Sequence, residues 1–408
     1  MISQRIKEAL DRWVEKIYPS RKAFENILKS GKKLTIYHGV DPTSPHLHLG
    51  HSTNYFLLRR FQEIGCRIYI LIGDFTARIG DPTGRSTARK ALTKEQILKN
   101  YRTYQKQIGK ILDFDSKKNP VELKFNSRWL NKLKMVELIR LAANFTHGQM
   151  IKRNMFQERL KRKEAIYLHE FLYPLFQGYD SVAMDVDAEV GGTDQTFNML
   201  IGRYLMKIYR NKEKFVITTP LLINPRTKRK LMSKSEGRFI ALDDPPNQMY
   251  GKIMALPDEL IITCFKLCTE VPIKEIKEME EEMRLKRVNP RDLKAKLARE
   301  IVSIYYGRET ANRAEKEFNR IFKEKKPPSE IPRVQIREKT LNILDLLVKT
   351  KLVSSKSEAK RLILQRGVKI DGEIQKDWRR VIPIKKEVTV QVGKRKFLKI
   401  FPTEFGKE

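Results

Sequence analysis

The stretch from Tyr37 to His51 constrains the fold more than any other part of this chain. It reads Tyr-His-Gly-Val-Asp-Pro-Thr-Ser-Pro-His-Leu-His-Leu-Gly-His. The β-branched and aromatic run Leu34-Thr35-Ile36-Tyr37 has the composition of a buried strand, and it breaks at Gly39 and at the turn formers Asp41-Pro42-Thr43. Apolar residues then recur as Leu49, Phe56, Leu57, Phe61 and Ile64 until Gly65 stops them, which is a helical pattern. A strand, a polar turn and a helix with histidines in its first turn together offer backbone N–H groups and side-chain donors to an anion.

A second strand, Arg67 to Gly73, follows that helix directly. The βαβ order predicts a parallel sheet with a right-handed crossover. The second strand runs into the polar turn Gly80-Asp81-Pro82-Thr83-Gly84-Arg85. Ligands of open α/β sheets sit at the carboxyl ends of strands, so both turns are expected at one site.

The rest of the chain divides by pattern. Residues 1–33 read as a helical lead-in, and residues 93–165 mostly as helices inserted between two halves of the sheet, with a polar break at 115–120. Helical signal runs on to Tyr179, followed by a short strand at Ala183-Met184-Asp185-Val186, a turn at Gly191-Gly192-Thr193-Asp194-Gln195 and a strand at Phe215–Thr219. The segment from Pro225 to Arg238 is a long basic Ser/Gly-containing loop of the anion-seeking kind. The expected organisation is an α/β catalytic domain over 1–228 with its insertion at 93–165, a helical domain over 229–325, a Pro-rich linker over 326–338 and a small α+β module over 339–408.

Composition enters through charge. The chain of 408 residues carries a net charge of +34, which points to a polyanionic partner. From 341 to 408 there are 17 Lys and Arg against 8 Asp and Glu. There the capping box Ser355-Lys356-Ser357-Glu358 opens a helix that Gly367 is expected to close. Lys356, Lys360, Arg361, Arg366 and Lys369 cluster around it as a phosphate-backbone footprint. Three cysteines, Cys66, Cys264 and Cys268, make no paired framework, no apolar run approaches membrane-spanning length, and the N-terminus lacks an unbroken apolar core, so a cytosolic protein with no membrane partner is expected. No residue set is assigned to a protein-held metal, because nothing near Cys264 and Cys268 completes one.

His48-Leu49-Gly50-His51 and Leu231-Met232-Ser233-Lys234-Ser235 resemble the two signatures of class I aminoacyl-tRNA synthetases, HIGH and KMSKS. Attack of a carboxylate on the α-phosphate of ATP spreads charge over phosphate oxygens, so the protein's task is positioning and charge stabilisation. His48, His51 and Thr43 can donate to phosphates, Gly50 leaves room for the adenine, and Lys234, flanked by Met232, Ser233 and Ser235, can close on departing pyrophosphate.

Four further motifs sharpen the resemblance to the tyrosyl-tRNA synthetase family. They are Tyr37–Thr43, Gly80–Gly84, the run Tyr173-Pro174-Leu175-Phe176-Gln177-Gly178-Tyr179-Asp180, and Gly191–Gln195. The tail resembles the S4 RNA-binding module of bacterial members. Tyr173, Gln177 and Asp180 are spaced to lie on one helix face. The resemblance implies that Tyr37 and Asp180 bind a substrate phenol. It implies that Asp81, Tyr173 and Gln177 hold its ammonium, that Gln195 faces its carboxylate, and that Gly192 and Asp194 hold the adenylate ribose. It also implies ATP with Mg2+ as substrate and no tightly bound cofactor, L-tyrosine and tRNA(Tyr) as partners, and a homodimer joined near 115–165. Two positions depart from the pattern: His38 stands where many members carry Cys, and the second signature begins with Leu231, preceded by Lys230.

Three rivals remain open at this level. A tryptophanyl-tRNA synthetase shares the fold but suits Tyr37 with Asp180 less well. A catalytically retired RNA-binding factor sits badly with intact His48, His51, Lys234, Asp81 and Asp194. A nucleotidylyltransferase would not need the basic tail.

Overall fold

In this computed structural model, residues 4–83, 92–224, 226, 231, 239–324, 326–329, 331–393 and 396–402 are described. The chain divides into two compact units, Met1–Ala311 and Asn312–Glu408.

The first unit is built on a six-stranded sheet of β1 (Lys16–Tyr18), β2 (Thr35–Val40), β3 (Arg67–Ile72), β4 (Glu122–Phe125), β5 (Ala188–Gly192) and β6 (Phe215–Thr219), in spatial order β1-β6-β5-β2-β3-β4. Strands β2 to β6 pair in parallel, and β1 pairs antiparallel with β6 at the edge. Strand order reverses between β2 and β5, where an open parallel sheet leaves a crevice for ligands.

Six helices of this unit matter for the site and its support: α1 (Gln4–Trp13), α2 (Leu49–Glu63), α3 (Met135–Ala142), α4 (Leu168–Met184), α5 (Thr196–Arg210) and α6 (Ile261–Cys268). The predicted apolar stripe of α2 is buried at Leu49, Phe56, Leu57 and Phe61, each worth about 1.5–3 kcal/mol. Gly65, at φ +90°, ends it as expected. Helix α1 is tied to α6 by the buried Arg12 guanidinium, which donates to the carbonyls of Phe265 at 2.7 Å, Lys266 at 2.6 Å, Thr269 at 2.5 Å and Val271 at 2.7 Å. These carbonyls lie at and just beyond a helix C-terminus, where the intrahelical donors run out; that of Phe265 also accepts from Thr269 Oγ1 at 2.7 Å.

Several expectations are corrected. The strand read at Ala183–Val186 is not there: α4 continues to Met184 and ends on Asp185, whose left-handed φ of 49° closes the helix, and the strand starts at Ala188. Gly191 and Gly192 lie inside that strand, and the turn is the 3-10 segment Thr193–Gln195. The insertion contains β4, which adds a strand to the sheet edge beside β3. The lead-in contains β1, whose register with β6 pairs Ile17 with Ile217.

In the second unit a five-stranded sheet has the order β10-β9-β12-β13-β7, and a two-stranded ribbon pairs β8 with β11. The strands are β7 (Arg333–Ile336), β8 (Thr340–Asn342), β9 (Val368–Ile370), β10 (Glu373–Ile374), β11 (Val381–Pro383), β12 (Val388–Val392) and β13 (Lys396–Pro402). β7 falls within the stretch read as a linker, yet it pairs in parallel with β13. Helix α7 (Lys356–Leu364) starts at the predicted cap, where Ser355 Oγ accepts the Glu358 N–H at 3.2 Å. Its stop is Arg366, at φ 58°, and not Gly367. Ile343, Leu346, Ala359, Ile363, Val390 and Ile400 form the centre of the core. Among the described residues no helix is long and apolar enough to cross a membrane.

Candidate active site

His48 is the N-cap of α2 and His51 lies in its first turn, with ring centroids 3.8 Å apart. His51 Nδ1 accepts the backbone N–H of His48 at 3.1 Å and lies 3.3 Å from the His48 carbonyl, so either ring tautomer finds a partner there. Desolvation holds His51 well below the ordinary imidazole value, and His48 and His38 add to that, so the imidazole is neutral at neutral pH. Gly50 is half-buried between them, and Thr43 is exposed on the turn after β2.

The chain downstream of the second signature is fastened to the first. The Leu49 N–H donates to the Ile240 carbonyl at 3.1 Å, and the Leu242 N–H donates to the Leu47 carbonyl at 2.9 Å. Phe239 meets the His48 ring edge-on at 5.5 Å. The chain that follows the second signature, from Phe239 on, therefore lies against the first. Met232, Ser233, Lys234 and Ser235 lie outside the described residues.

Beside this rim lies a polar network around α4. One face of this helix carries Tyr173, Gln177 and Asp180, as their spacing predicts, and each meets a different partner. Tyr173 donates its hydroxyl proton to Asp41 Oδ2 at 2.9 Å. Gln177 Nε2 donates to Glu189 Oε1 at 3.1 Å. The buried Asp180 carboxylate accepts from Trp129 Nε1 at 2.8 Å and Asn126 Nδ2 at 3.2 Å. Burial pushes the Asp180 carboxyl well above the ordinary carboxylate range, against the pull of those two donors. Asp81 accepts from Gln195 Nε2 at 2.7 Å and from the Thr83 N–H at 2.9 Å. Arg153, stacked over Phe197 at 4.6 Å, donates to Thr83 Oγ1 at 2.8 Å and so braces the Asp81 turn. Gly192 ends β5, and Asp194 stands in the turn beyond it. A Cβ on Gly192 would lie 2.7 Å from Asp194 Oδ1, so glycine lets that carboxylate fold back over the strand end.

Tyr37 is fully buried in β2, opposite Glu189 of β5. Its hydroxyl does not bond Asp180 directly. It meets Ser181 Oγ, on the next residue of α4, at 2.9 Å, and the Glu189 carboxylate is a second partner. Burial, reinforced by Glu189 and Asp180, raises the Tyr37 phenol well above its usual value, so it stays protonated.

Sequence reading passed over Asp41, Thr76, Asn126, Trp129, Ser181, Glu189, Asn198 and Lys214 as site residues. Asp41 accepts from Thr76 Oγ1 at 2.7 Å as well as from Tyr173, and a Cβ on Gly73 would come within 1.9 Å of it. Asn198 Nδ2 donates to Gln177 Oε1 at 2.9 Å and Gln195 Oε1 at 3.1 Å. Asn126 and Trp129 follow β4, and recognising that strand was the signal that could have found them. Among the described residues no group of three or more His, Cys, Asp and Glu side chains is arranged to hold a metal ion.

A parallel sheet with the first motif at its carboxyl-end rim and a polar network beside it defines the class I synthetase architecture. Residues 29–323 match the family described as tRNA synthetases class I (W and Y), and residues 323–400 match the Tyrosine--tRNA ligase SYY-like C-terminal domain. The chain belongs to this class I tRNA synthetase family. It is 45% identical over 391 residues to a tyrosine–tRNA ligase of Thermotoga maritima, covering 96% of each chain. It is 44% identical to one from Carboxydothermus hydrogenoformans, covering 97% of this chain and 98% of the relative. Among solved structures, a C-terminally truncated mitochondrial tyrosyl-tRNA synthetase of Coccidioides posadasii superposes with a TM-score of 0.62 at 27% identity, covering 77% of this chain and 92% of that one.

Proposed function

We propose that this chain is a tyrosine–tRNA ligase. The tyrosine carboxylate attacks the α-phosphorus of MgATP, the bond to the β-phosphate breaks, and pyrophosphate leaves. A hydroxyl of the terminal tRNA ribose then attacks the carbonyl carbon of tyrosyl-adenylate, and AMP leaves. The Mg2+ arrives with the nucleotide, as part of the substrate. The observation that carries the reading is the near-full-length relation to proteins with this activity.

The geometry supports the division of labour. Neutral His51 donates a ring N–H to phosphate oxygens as charge builds there, and His48, Gly50 and Thr43 line the same turn. Asp194 and Gly192 serve the ribose. Asp81, Tyr173, Gln177 and Gln195 hold the amino and carboxylate groups. Asp180 accepts from the substrate phenol and Tyr37 donates to it. Phenylalanine would leave Tyr37 and Asp180 each short of the bond that the substrate hydroxyl makes, and its exclusion by tyrosyl enzymes is the type case of this effect. Lys234 compensates the charge of the leaving pyrophosphate.

Three further properties go with this activity. The unit Asn312–Glu408 binds tRNA through its basic face. Two copies pair through the insertion, where Met135, Val136 and Ile139 on α3 are 74%, 51% and 62% exposed, too apolar a face to leave in water. The enzyme works in the cytosol, in keeping with three free, buried cysteines.

Amino-acid-dependent exchange of pyrophosphate into ATP, run over all standard amino acids, tests the function. Exchange with tyrosine alone is expected. Exchange with tryptophan in its place, or with no amino acid, overturns the reading.

A further inference from the structure

Lys214 is fully buried, and neither signature nor pocket motif includes it. It precedes β6 and carries a charge into the apolar interior, which costs several kcal/mol unless it is paired. Its ammonium meets two partners. One is the Glu189 carboxylate, in a buried ion pair. The other is Ser181 Oγ, at 2.7 Å. Room for the head group comes from Gly202 on α5, where a Cβ would stand 2.6 Å from Nζ.

Both partners lead to the amino-acid pocket. Ser181 Oγ is 2.9 Å from the Tyr37 hydroxyl, at the phenol end. Glu189 accepts from Gln177, which Asn198 links to Gln195 and so to Asp81, at the other end. Donation by an ammonium occupies one lone pair of Ser181 Oγ and makes its own proton more acidic. Ser181 is thereby biased to give that proton to the Tyr37 oxygen, which turns the Tyr37 proton away from Ser181, toward Glu189 and toward a ligand that competes for it. Asp180, an acceptor, stands one residue away, so the pocket then presents one donor and one acceptor, the pair a phenolic hydroxyl requires.

We infer that Lys214 is a positioning residue for amino-acid recognition: acting through Ser181, it sets the direction of the Tyr37 hydrogen bond and so the preference for a phenol over a bare ring. This deepens the tyrosine–tRNA ligase reading and rests on it.

The test uses the full-length enzyme and two variants, Lys214→Met and Ser181→Ala, in pyrophosphate exchange with tyrosine and with phenylalanine. In both variants the tyrosine kcat/KM is expected to fall about tenfold while that for phenylalanine changes less than about twofold, so discrimination shrinks about tenfold, as expected from one misdirected buried hydrogen bond. The KM for ATP is expected to stay within about twofold of wild type, because the network does not reach the nucleotide end. Equal losses with both amino acids, or equal shifts in the tyrosine and ATP KM values, would show a merely structural role and overturn the inference. Where Lys214→Met does not fold, as judged by circular dichroism, Ser181→Ala decides, since it keeps the ion pair. Wild-type enzyme without tyrosine-dependent exchange would instead overturn the ligase reading, and this inference with it.

Discussion

The backbone N–H of His48 donates to His51 Nδ1 across 3.1 Å, which ties the second imidazole to the cap of the helix. His38 is tied to the neighbouring strand, because its Nδ1 lies 2.8 Å from the Val190 carbonyl and must carry the proton to bond it. Desolvation holds both imidazoles below the ordinary value of 6.5. The unfolded chain therefore takes up protons near pH 6.5 that the folded chain refuses, and stability falls as pH drops below that value. Thermal unfolding followed from about pH 7.5 down to about 5.5 should show the loss. In His38→Asn, whose amide can still donate to Val190, the loss over the same range should be smaller. An unchanged slope would show that His38 does not contribute.

Asp180 works in the opposite sense. Its folded pKa lies well above 3.8, so the native state holds the proton more tightly than the unfolded chain does. Its contribution to stability is largest in acid and declines as pH rises through that window. Its service as an acceptor is the reverse, since acid protonates it and should raise the KM for tyrosine. Trp129→Phe removes the 2.8 Å donor, which raises the pKa further. The acid limb of tyrosine kcat/KM should then move to higher pH, with a KM for tyrosine about fivefold higher at neutral pH, the scale of one charge-assisted hydrogen bond. The KM for ATP measured alongside should not follow.

Elements whose signal is local were legible in the sequence. Strands β2 and β3, helix α2 with its Gly65 stop, and the cap at Ser355 rest on runs and caps read over a few residues. The helix face of Tyr173, Gln177 and Asp180 followed from spacing alone. The edge strands β1 and β4 have three and four residues, too short for an alternation to show, and only their register with β6 and β3 makes them strands. The end of α4 was misread because Ala183 and Met184 suit either state, and the left-handed Asp185 decides it. Lys214 and Glu189 were illegible for a different reason. A charge in a buried strand is evidence against burial until its partner, 25 positions away, is placed opposite it.

Arg12 gives a stability prediction remote from the chemistry. Its guanidinium satisfies four carbonyls at and beyond the end of α6, and burial lowers its pKa to about 10, with Glu8 and Glu270 opposing. Arg12→Met keeps the length of the stem but removes a donor from each of these carbonyls, of which that of Phe265 keeps the Thr269 hydroxyl. Urea unfolding should show a loss of about 3 kcal/mol. The tyrosine and ATP KM values of the folded variant should be those of wild type, because the Arg12 head group bonds only to the end of α6 and the turn after it.

The exposed face of α3 yields a prediction about assembly. A charge in the centre of a dimer interface is left desolvated and unpaired, at a cost of several kcal/mol. Ile139→Asp is therefore expected to sediment as a monomer at concentrations where wild type sediments as a dimer. On a face that is simply solvated the same change would leave sedimentation untouched.

The tail separates two steps of the reaction. Lys360 and Arg361 are exposed on α7, and Trp378 lies between cations, with Lys360 Nζ at 4.2 Å and the Arg379 guanidinium at 4.7 Å from its ring centroid. Lys356 is instead engaged with Asp345 at 2.6 Å, so less of its charge is available to a phosphate. Each phosphate deprived of its cation should lower the salt dependence of tRNA binding by about one in the log–log slope. Lys360→Glu with Arg361→Glu should raise the KM for tRNA by about tenfold or more and reduce that slope by about two, while Lys356→Glu does less. Pyrophosphate exchange, which needs no tRNA, should proceed at the wild-type rate in the double variant and in Lys356→Glu alike. A parallel fall in exchange would mean that this unit is required for adenylate formation.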